Sequence, residues 1–294
     1  WINTMDSTSN VRAAFHYVTA TVSGACNTLA TAPCCANVKI ATFLGPGTFC
    51  VSCAGGAGGS NTVDYLVVAG GGGSGYYYGG GGGAGGYRFS NGTASGCYTA
   101  GPAPLAASAL PVSVQGYPIT TGGGGVSFAA VAPFALATGG SGTQSVFSTI
   151  TSTGGGGSQG SCVSSVVGIP GGSGGGAGGP GTGASGGTGN TPPVSPPQGN
   201  PGNPDTVVCA GAGGGGSGGT GIGISAGAGL ASCITASPVF RGAGGNAGPL
   251  STPTAEGRTA YGGAGASNSG SGAGGDGNTN NGGSGIVIIR YKFQ

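Results

Sequence analysis

Charge is what this sequence has least of. Of 294 residues, 7 are Lys or Arg, 5 are Asp or Glu, and 1 is His. No run of basic residues occurs, so the electrostatic footprint that nucleic-acid binding requires is missing. The acidic residues, at positions 6, 64, 205, 256 and 276, are too scattered for a carboxylate dyad. There is no P-loop lysine. Matches to G-x-G-x-x-G abound, as 77 glycines make inevitable, and none opens a βαβ unit. The sole histidine, His16, falls in a strand-prone run, where a core or interface role is expected. Also absent is an uninterrupted apolar run near the ~20 residues a membrane helix needs, so no membrane insertion is expected. No leader of charged-then-apolar type precedes Trp1, and the chain reads as a processed product or a fragment.

Glycine fills the space the charges leave. Its 77 residues compare with a typical share of roughly 7%. Charge-driven disorder fits poorly, because hydrophobic residues make up 37% and charged ones 4%. Nine cysteines, at 26, 34, 35, 50, 53, 97, 162, 209 and 233, suit an oxidising, extracellular setting, and the odd number leaves one over. Cys50-Val-Ser-Cys53 matches C-x-x-C, but the context is strand-like. Side chains three apart on a regular strand face opposite ways, so a zinc or redox pair is not expected there. The segment at 275–280, Gly-Asp-Gly-Asn-Thr-Asn, lacks the spaced acidic ligands of a calcium loop. No catalytic residue, cofactor or metal is assigned.

Two stretches frame the rest. Val63–Gly73, V-D-Y-L-V-V-A-G-G-G-G, is a β-branched run passing into glycine, and Gly285–Phe293, G-I-V-I-I-R-Y-K-F, leaves glycine to become strand. In the second, Val287, Ile289, Tyr291 and Phe293 share one face. Ile286, Ile288, Arg290 and Lys292 share the other, which is expected to become wet toward its end. Upstream, Val11–Val22 is strand-prone on both faces. Such a strand, with Val11, Phe15, Tyr17, Val18 and Val22, either completes its own sheet or is lent to a neighbouring subunit, and the second is the assembly strand we expect. Lys39–Ser52 reads as two strands about a Gly-Pro-Gly turn. Further strands are expected at 111–115, 117–120, 145–153, 206–210 and 230–240, most of them abutting a glycine run. Thr191–Pro204 is proline-rich and must be extended or a turn. Only three glycines precede Cys53, and this shift supports two regions: an N-terminal arm over 1–39 and a glycine-rich β domain over 40–294.

Glycine is poor in helices and ordinary strands because it loses the most entropy on ordering. Collagen is excluded, since no sustained G-X-Y register exists. Extended helices of three residues per turn, the polyglycine II type, remain. They lack internal hydrogen bonds and must bond sideways, and only glycine lets backbones approach that closely. Such a bundle should place scattered Ala and Ser at its surface and Tyr, Arg and Asn at its loops. The fold expected is therefore all-β with almost no α-helix: a short-strand sandwich or barrel anchoring a glycine-rich body with packed polyglycine-II-type helices. Tyr76, Tyr77, Tyr78, Tyr87, Arg88, Arg241, Arg258 and Tyr261 are the candidate contact loops, since Tyr and Arg suit recognition. Asn91-Gly-Thr93 is a glycosylation sequon.

Several of these stretches are familiar together. T-F-L-G-P-G-T-F-C-V-S at 42–52, N-T-V-D-Y-L-V-V-A-G-G-G-G at 61–73, Y-P-I-T-T-G-G-G-G at 117–125, S-V-F-S-T-I-T-S-T-G-G-G-G at 145–157, G-L-A-S-C-I-T at 229–235 and G-G-S-G-I-V-I-I-R-Y at 282–291 resemble a glycine-rich domain. That domain occurs in tail-fibre and virion-surface proteins of aquatic bacteriophages and in related bacterial surface proteins. The resemblance spans roughly residues 40–294. Cys50, Cys53, Cys209 and Cys233 depart from it, standing where Thr, Ser, Val or Ala is expected. It implies a non-enzymatic structural subunit, extracellular or on a virion surface, with no catalytic residues to carry over. Two roles follow as expectations. One is a fibre subunit that forms a homo-oligomer or helical polymer by β-strand addition. The other is a receptor-binding adhesin tip for a cell-surface glycan or protein. No nucleic-acid partner is expected.

Overall fold

The computed structural model describes residues 17–56, 60–96, 98–128, 136–206, 208–247, 256–260, 262–275 and 280–294. Within them the chain is all-β, with one short 3-10 turn at Ala103–Leu105. No helix among the described residues is long and apolar enough to cross a membrane.

Two sheets face each other. The first runs in the order β1 (Val18–Val22), β4 (Gly47–Ala54), β9 (Gly116–Thr120), β11 (Ser145–Phe147), β12 (Ile150–Ser152). The second has the order β2 (Thr28–Ala32), β3 (Cys35–Phe43), β16 (Ile286–Lys292), β5 (Thr62–Val68), β6 (Tyr87–Ser90), β7 (Ala106–Ala107), with β8 (Leu110–Pro111) also on β5. Their inner faces meet in one core: Val18, Phe49, Val51, Tyr117, Ile119 and Phe147 from the first, Phe43, Val63, Tyr65, Val67, Val287, Ile289 and Tyr291 from the second. Phe147 stands edge-on to Phe49, Tyr65 and Tyr117, with ring centroids at 6.2, 6.5 and 6.0 Å. Such pairs add about 0.5–1.5 kcal/mol each beyond the area they bury. Of the sandwich and the barrel, the sandwich is what forms; among the described residues no barrel closes.

The central strands β5 and β16 are buried on both faces, which is why they read as near-continuous apolar runs. Alternation sends Leu66, Val68, Ile286 and Ile288 to a second cluster behind the sheet, with Tyr87, Phe89 and Ile234. Arg290 shares that face and is wholly buried, contrary to the wet end expected of it. The reason lies outside the strand: Tyr98 and Ile234 cover it. Its guanidinium lies 4.9 Å from the Tyr98 ring centroid, and Nη1 donates to the Ile234 carbonyl at 3.2 Å.

The turn at 44–46 joins β3 to β4 as expected, while the boundary drawn at residue 39 falls inside β3. β1 lies on β4 of its own chain, from Val18↔Ala54 to Val22↔Phe49; Val11, Phe15 and His16 lie outside the described residues. A register shift between Thr19 and Ala20 sets Cys53 opposite Thr19 and Cys50 opposite Thr21. Both threonines are exposed, so the bulge brings the two cysteines to the same outer face, not to opposite ones. Residues 145–153 form a hairpin, β11–β12, and 230–241 form another, β14 (Leu230–Ser232) with β15 (Val239–Arg241). Residues 206–210, expected as strand, contain a turn instead, because the chain reverses there between two glycine tracts.

Those tracts leave the sandwich from strand ends and return to others. Residues 80–86 show their geometry. Gly80, Gly83 and Gly86 donate to the carbonyls of Gln159, Gly156 and Thr153, at 3.2, 2.8 and 2.7 Å. Gly81 and Ala84 donate to Ala212 and Gly215, and Gly82 and Gly85 to Ala273 and Gly270. In return Gly72, Gly176 and Gly245 donate to the carbonyls of Gly83, Gly81 and Gly82. Every third residue thus meets the same neighbour, and the tract is surrounded by others on all sides. This is the bonding of extended helices with three residues per turn, which rise about 3.1 Å per residue and here stand roughly 20 Å tall.

Main chain touches main chain throughout. A Cβ added at Gly81 would stand 1.8 Å from the Gly245 carbonyl oxygen, and one at Gly124 1.8 Å from that of Gly282. The glycine hydrogens at these sites point at carbonyl oxygens, the geometry of weak Cα–H···O contacts. Alanine and serine are not confined to the surface, where they are expected: Ser141, Ser185 and Ala264 are exposed, but Ala84, Ala177, Ala273, Ser158 and Ser173 are fully buried. For serine the reason is partly bonding. The Ser158 hydroxyl accepts from Gly75 N–H at 2.8 Å and donates to the Gly80 carbonyl, and Ser145 likewise joins Gly122 N–H to the Val68 carbonyl. These hydroxyls satisfy backbone groups that the lattice leaves over.

Candidate functional site

Because tracts 70–75, 122–125 and 154–158 follow β5, β9 and β12, and 79–86, 139–143 and 280–285 lead into β6, β11 and β16, their connecting turns gather at the end remote from the sandwich. The tyrosine turn at 76–78 lies there. Tyr76 and Tyr77 stack edge-on at 4.2 Å between centroids. Tyr77 and Tyr78 are 46% and 41% exposed, and both hold left-handed backbone, φ 48° and 46°. Outside glycine that region costs on the order of 1 kcal/mol or more per residue and persists only where the surroundings impose it. They do so here: the Tyr78 carbonyl accepts from Gly179 N–H at 3.0 Å, and Gly160 presses on Tyr76 so closely that a Cβ there would overlap its carbonyl oxygen.

Other turns crowd around it. β10 (Ala137–Thr138) pairs with β13 (Gln159–Gly160). Cys209 N–H donates to the Pro180 carbonyl at 3.1 Å. The Tyr78 phenol is raised from its ordinary value, first by the charge and hydrogen bond of Cys209, then by burial and by Cys162. The same end carries exposed apolar side chains. Val126, Phe128, Leu136, Val163, Val208 and Ile222 are all more than a third exposed, Ile222 at 87%. With Tyr77 and Tyr78 they make up most of the exposed large hydrophobic residues described, so apolar exposure is concentrated at this tip. Sequence reasoning missed all six. Each stands between tracts, where only the tract lengths decide which end of the bundle it reaches.

The other expected contact residues lie elsewhere. Tyr87 belongs to β6 and is 2% exposed, stacked edge-on with Phe89 at 5.5 Å; it is core, not a loop. Burial pushes its phenol well above the usual range. Arg88 is on the same strand and donates to the Thr151 carbonyl at 3.4 Å. Arg241 ends β15 and is buried beside Tyr87; burial lowers its pKa. Both positions alternate with core residues on strands, which outweighs their residue type. Arg258 pairs with Glu256 at 2.9 Å beside the tract at 242–247. Tyr261 lies outside the described residues. Asn91 is exposed, and its Oδ1 accepts from Thr93 N–H and Oγ1. No group of three or more His, Cys, Asp or Glu suited to a metal occurs among the described residues.

No curated protein and no solved structure matches this chain. A family model does, described as a glycine-rich domain, over residues 45–292. The match begins in the β3–β4 turn and ends with the last residue of β16, and so takes in the whole glycine bundle together with most of both sheets. The chain therefore belongs to the glycine-rich domain family.

Proposed function

We propose that this chain is a non-enzymatic recognition module, displayed extracellularly or on a virion surface, in which a stiff glycine bundle holds up a tip that binds a cell-surface glycan or protein. The observation that carries this reading is the tip itself. Two adjacent tyrosines in left-handed backbone stand among six exposed apolar side chains, at the end of the molecule farthest from its core. Tyrosine offers a large, rigid face with few rotamers to lose on binding, and strained backbone held by its surroundings is a mark of ligand-contact sites. The bundle supplies the rigidity, since each tract is bonded to its neighbours along its length. The resemblance to phage tail-fibre and virion-surface domains supports the same setting.

Replacing both Tyr77 and Tyr78 with glycine removes the rings while suiting the left-handed backbone. The double variant should keep its melting temperature and lose attachment to cells or immobilised glycans that capture the parent chain. Undiminished capture would end the proposal.

A second reading, the fibre subunit, is favoured by one observation. β1 is an edge strand among the described residues, paired on one side only, by β4. A sheet edge accepts a further strand. Replacing Thr19 and Thr21, exposed on β1, with lysine should block that edge and leave monomers where the parent chain shows filaments by electron microscopy, and filaments that survive the change dismiss it.

A further inference from the structure

Arg290 is wholly buried and needs a counter-charge. Its cross-strand neighbour Asp64, wholly buried as well, carries that charge; Asp64 Oδ1 accepts from Ser90 Oγ at 2.8 Å and Oδ2 from Ser95 N–H and Oγ at 2.7 and 2.6 Å, so the guanidinium's own contacts lie elsewhere. Among the described residues the side-chain ion pair lies elsewhere, between Arg258 and Glu256 at 2.9 Å. Arg290 Nε has no partner, Nη1 is spent on the Ile234 carbonyl, and Nη2 points at Cys34 Sγ, 3.7 Å away. Cys34 sits in the exposed turn between β2 and β3. Its sulfur also accepts from the Cys35 thiol, with the two Sγ atoms at 3.5 Å, well beyond the ~2.05 Å of a disulfide. Both donors favour the thiolate form of that sulfur over the thiol. The hydrogen bond from Arg290, and after it that from Cys35, hold the Cys34 thiol below its ordinary value.

We propose that Cys34 and Cys35 form an exchange-active dithiol whose substrates are small-molecule disulfides, with Cys34 as the attacking thiolate, Cys35 as the resolving thiol and Arg290 as the residue that positions and charges the nucleophile. The Cys34 thiolate attacks one sulfur of R–S–S–R, forming a Cys34–S–S–R mixed disulfide and releasing R–S⁻. Cys35 then gives its proton to solvent and attacks Cys34 Sγ, closing the strained eight-membered ring of a disulfide between adjacent residues and releasing the second R–S⁻. Two protein thiols are oxidised and one disulfide is reduced to two thiols. Thiolate character combined with access makes a cysteine reactive, and Cys34 has both.

The test uses the full reduced chain and 5,5′-dithiobis(2-nitrobenzoate), with peptide mapping by mass spectrometry after short exposures. Cys26, an exposed turn cysteine that precedes β2, is the internal standard. Cys34 should be modified at least ~10-fold faster than Cys26 near neutral pH, and its rate should titrate at lower pH. The parent chain should release two equivalents of thiolate for each Cys34 consumed, and Cys35→Ser one, trapping the adduct on Cys34. Arg290→Gln should bring Cys34 down to the Cys26 rate. If that variant does not fold, the comparison of the two pH–rate profiles in the parent chain decides. Equal rates and equal pH midpoints for Cys34 and Cys26, or two equivalents released by Cys35→Ser, overturn the proposal.

Discussion

Phe147 and Gly81 are both fully buried, for opposite reasons. Phe147 is inside because of what it carries: a ring that meets three others between two sheets. Gly81 is inside because of what it lacks, since a single Cβ would land 1.8 Å from the Gly245 oxygen. The sandwich follows the usual arithmetic of folding, in which apolar side chains leave water and offset the entropy of ordering the chain. The bundle has little apolar area to bury. Its tract at 80–86 is Gly and one Ala, and what it gains is a hydrogen bond on nearly every N–H, made to neighbours in a lattice too tight for side chains. Glycine, the residue that loses most on ordering, is thus used where nothing larger fits. Each region should accordingly fail by a different substitution.

The largest effect is expected where a side chain is forced into the lattice. In Gly81→Val the obstacle is backbone, not the far end of a flexible side chain, so two tracts must part. We expect a loss of at least about 4 kcal/mol, seen as failure to fold or a steep drop in the denaturant midpoint. A midpoint within experimental error of the parent would show that the tracts are not bonded as described. The reverse operation in the sandwich, Phe147→Ala, should cost about 3–4 kcal/mol through lost burial and a cavity among Phe49, Tyr65 and Tyr117, with the fold retained. Equal tolerance of both changes would erase the distinction between the two regions.

Alkaline pH offers a milder way to separate them. The sandwich end buries Tyr65, Tyr87 and Tyr291 and half-buries Tyr98, and burial raises all four phenols, Tyr291 to about 12. A phenol is neutral when protonated, so burial favours the protonated form. The unfolded chain ionises first, near pH 10, and from there upward ionisation pulls the equilibrium toward it. Stability contributed by these groups is whole below about pH 10 and declines as pH rises toward the folded values. For Tyr291 alone this amounts to about 2–3 kcal/mol at the top of that range. Melting temperature and tyrosinate absorbance should change together above pH 10. Ionisation of every tyrosine near pH 10 without loss of melting temperature would contradict the burial.

Much of this was legible beforehand, and what was not has a common cause. β5 and β16 announce themselves as β-branched runs bounded by glycine, and the three-residue helices follow from glycine runs that suit neither collagen nor an ordinary strand. A residue's surroundings are another matter when they come from distant chain. Arg290 sits at the end of a strand whose alternation is plain, yet its cover is supplied by Tyr98 and Ile234. Cys53 joins Cys50 on one face through a one-residue bulge that pairing with β1 creates. Tyr87 and Arg241 were read by residue type when their position on strands governed them. The tip was half seen: its tyrosines interrupt a glycine run conspicuously, while Ile222 or Val208 becomes notable only once the tracts are laid side by side.

The smallest effect tests whether glycine is needed in the tracts for its geometry or merely abundant there. Gly123 lies on an outer tract, exposed, and the nearest atom to an added Cβ is Thr143 Oγ1 at 3.8 Å, ordinary contact. Its φ is not in the left-handed region. Alanine there should fit without moving anything and should restrict the unfolded chain, so Gly123→Ala is expected to raise stability by about 0.4–1 kcal/mol. Gly124, its immediate neighbour, faces the Gly282 oxygen at 1.8 Å and should not tolerate the same change. Adjacent glycines in one run thus carry opposite expectations, because successive residues of a threefold helix point a third of a turn apart and meet different neighbours. Denaturant midpoints for the two single variants settle the matter: if both fall by similar amounts, the tract is a generic glycine segment and the lattice is not what constrains it.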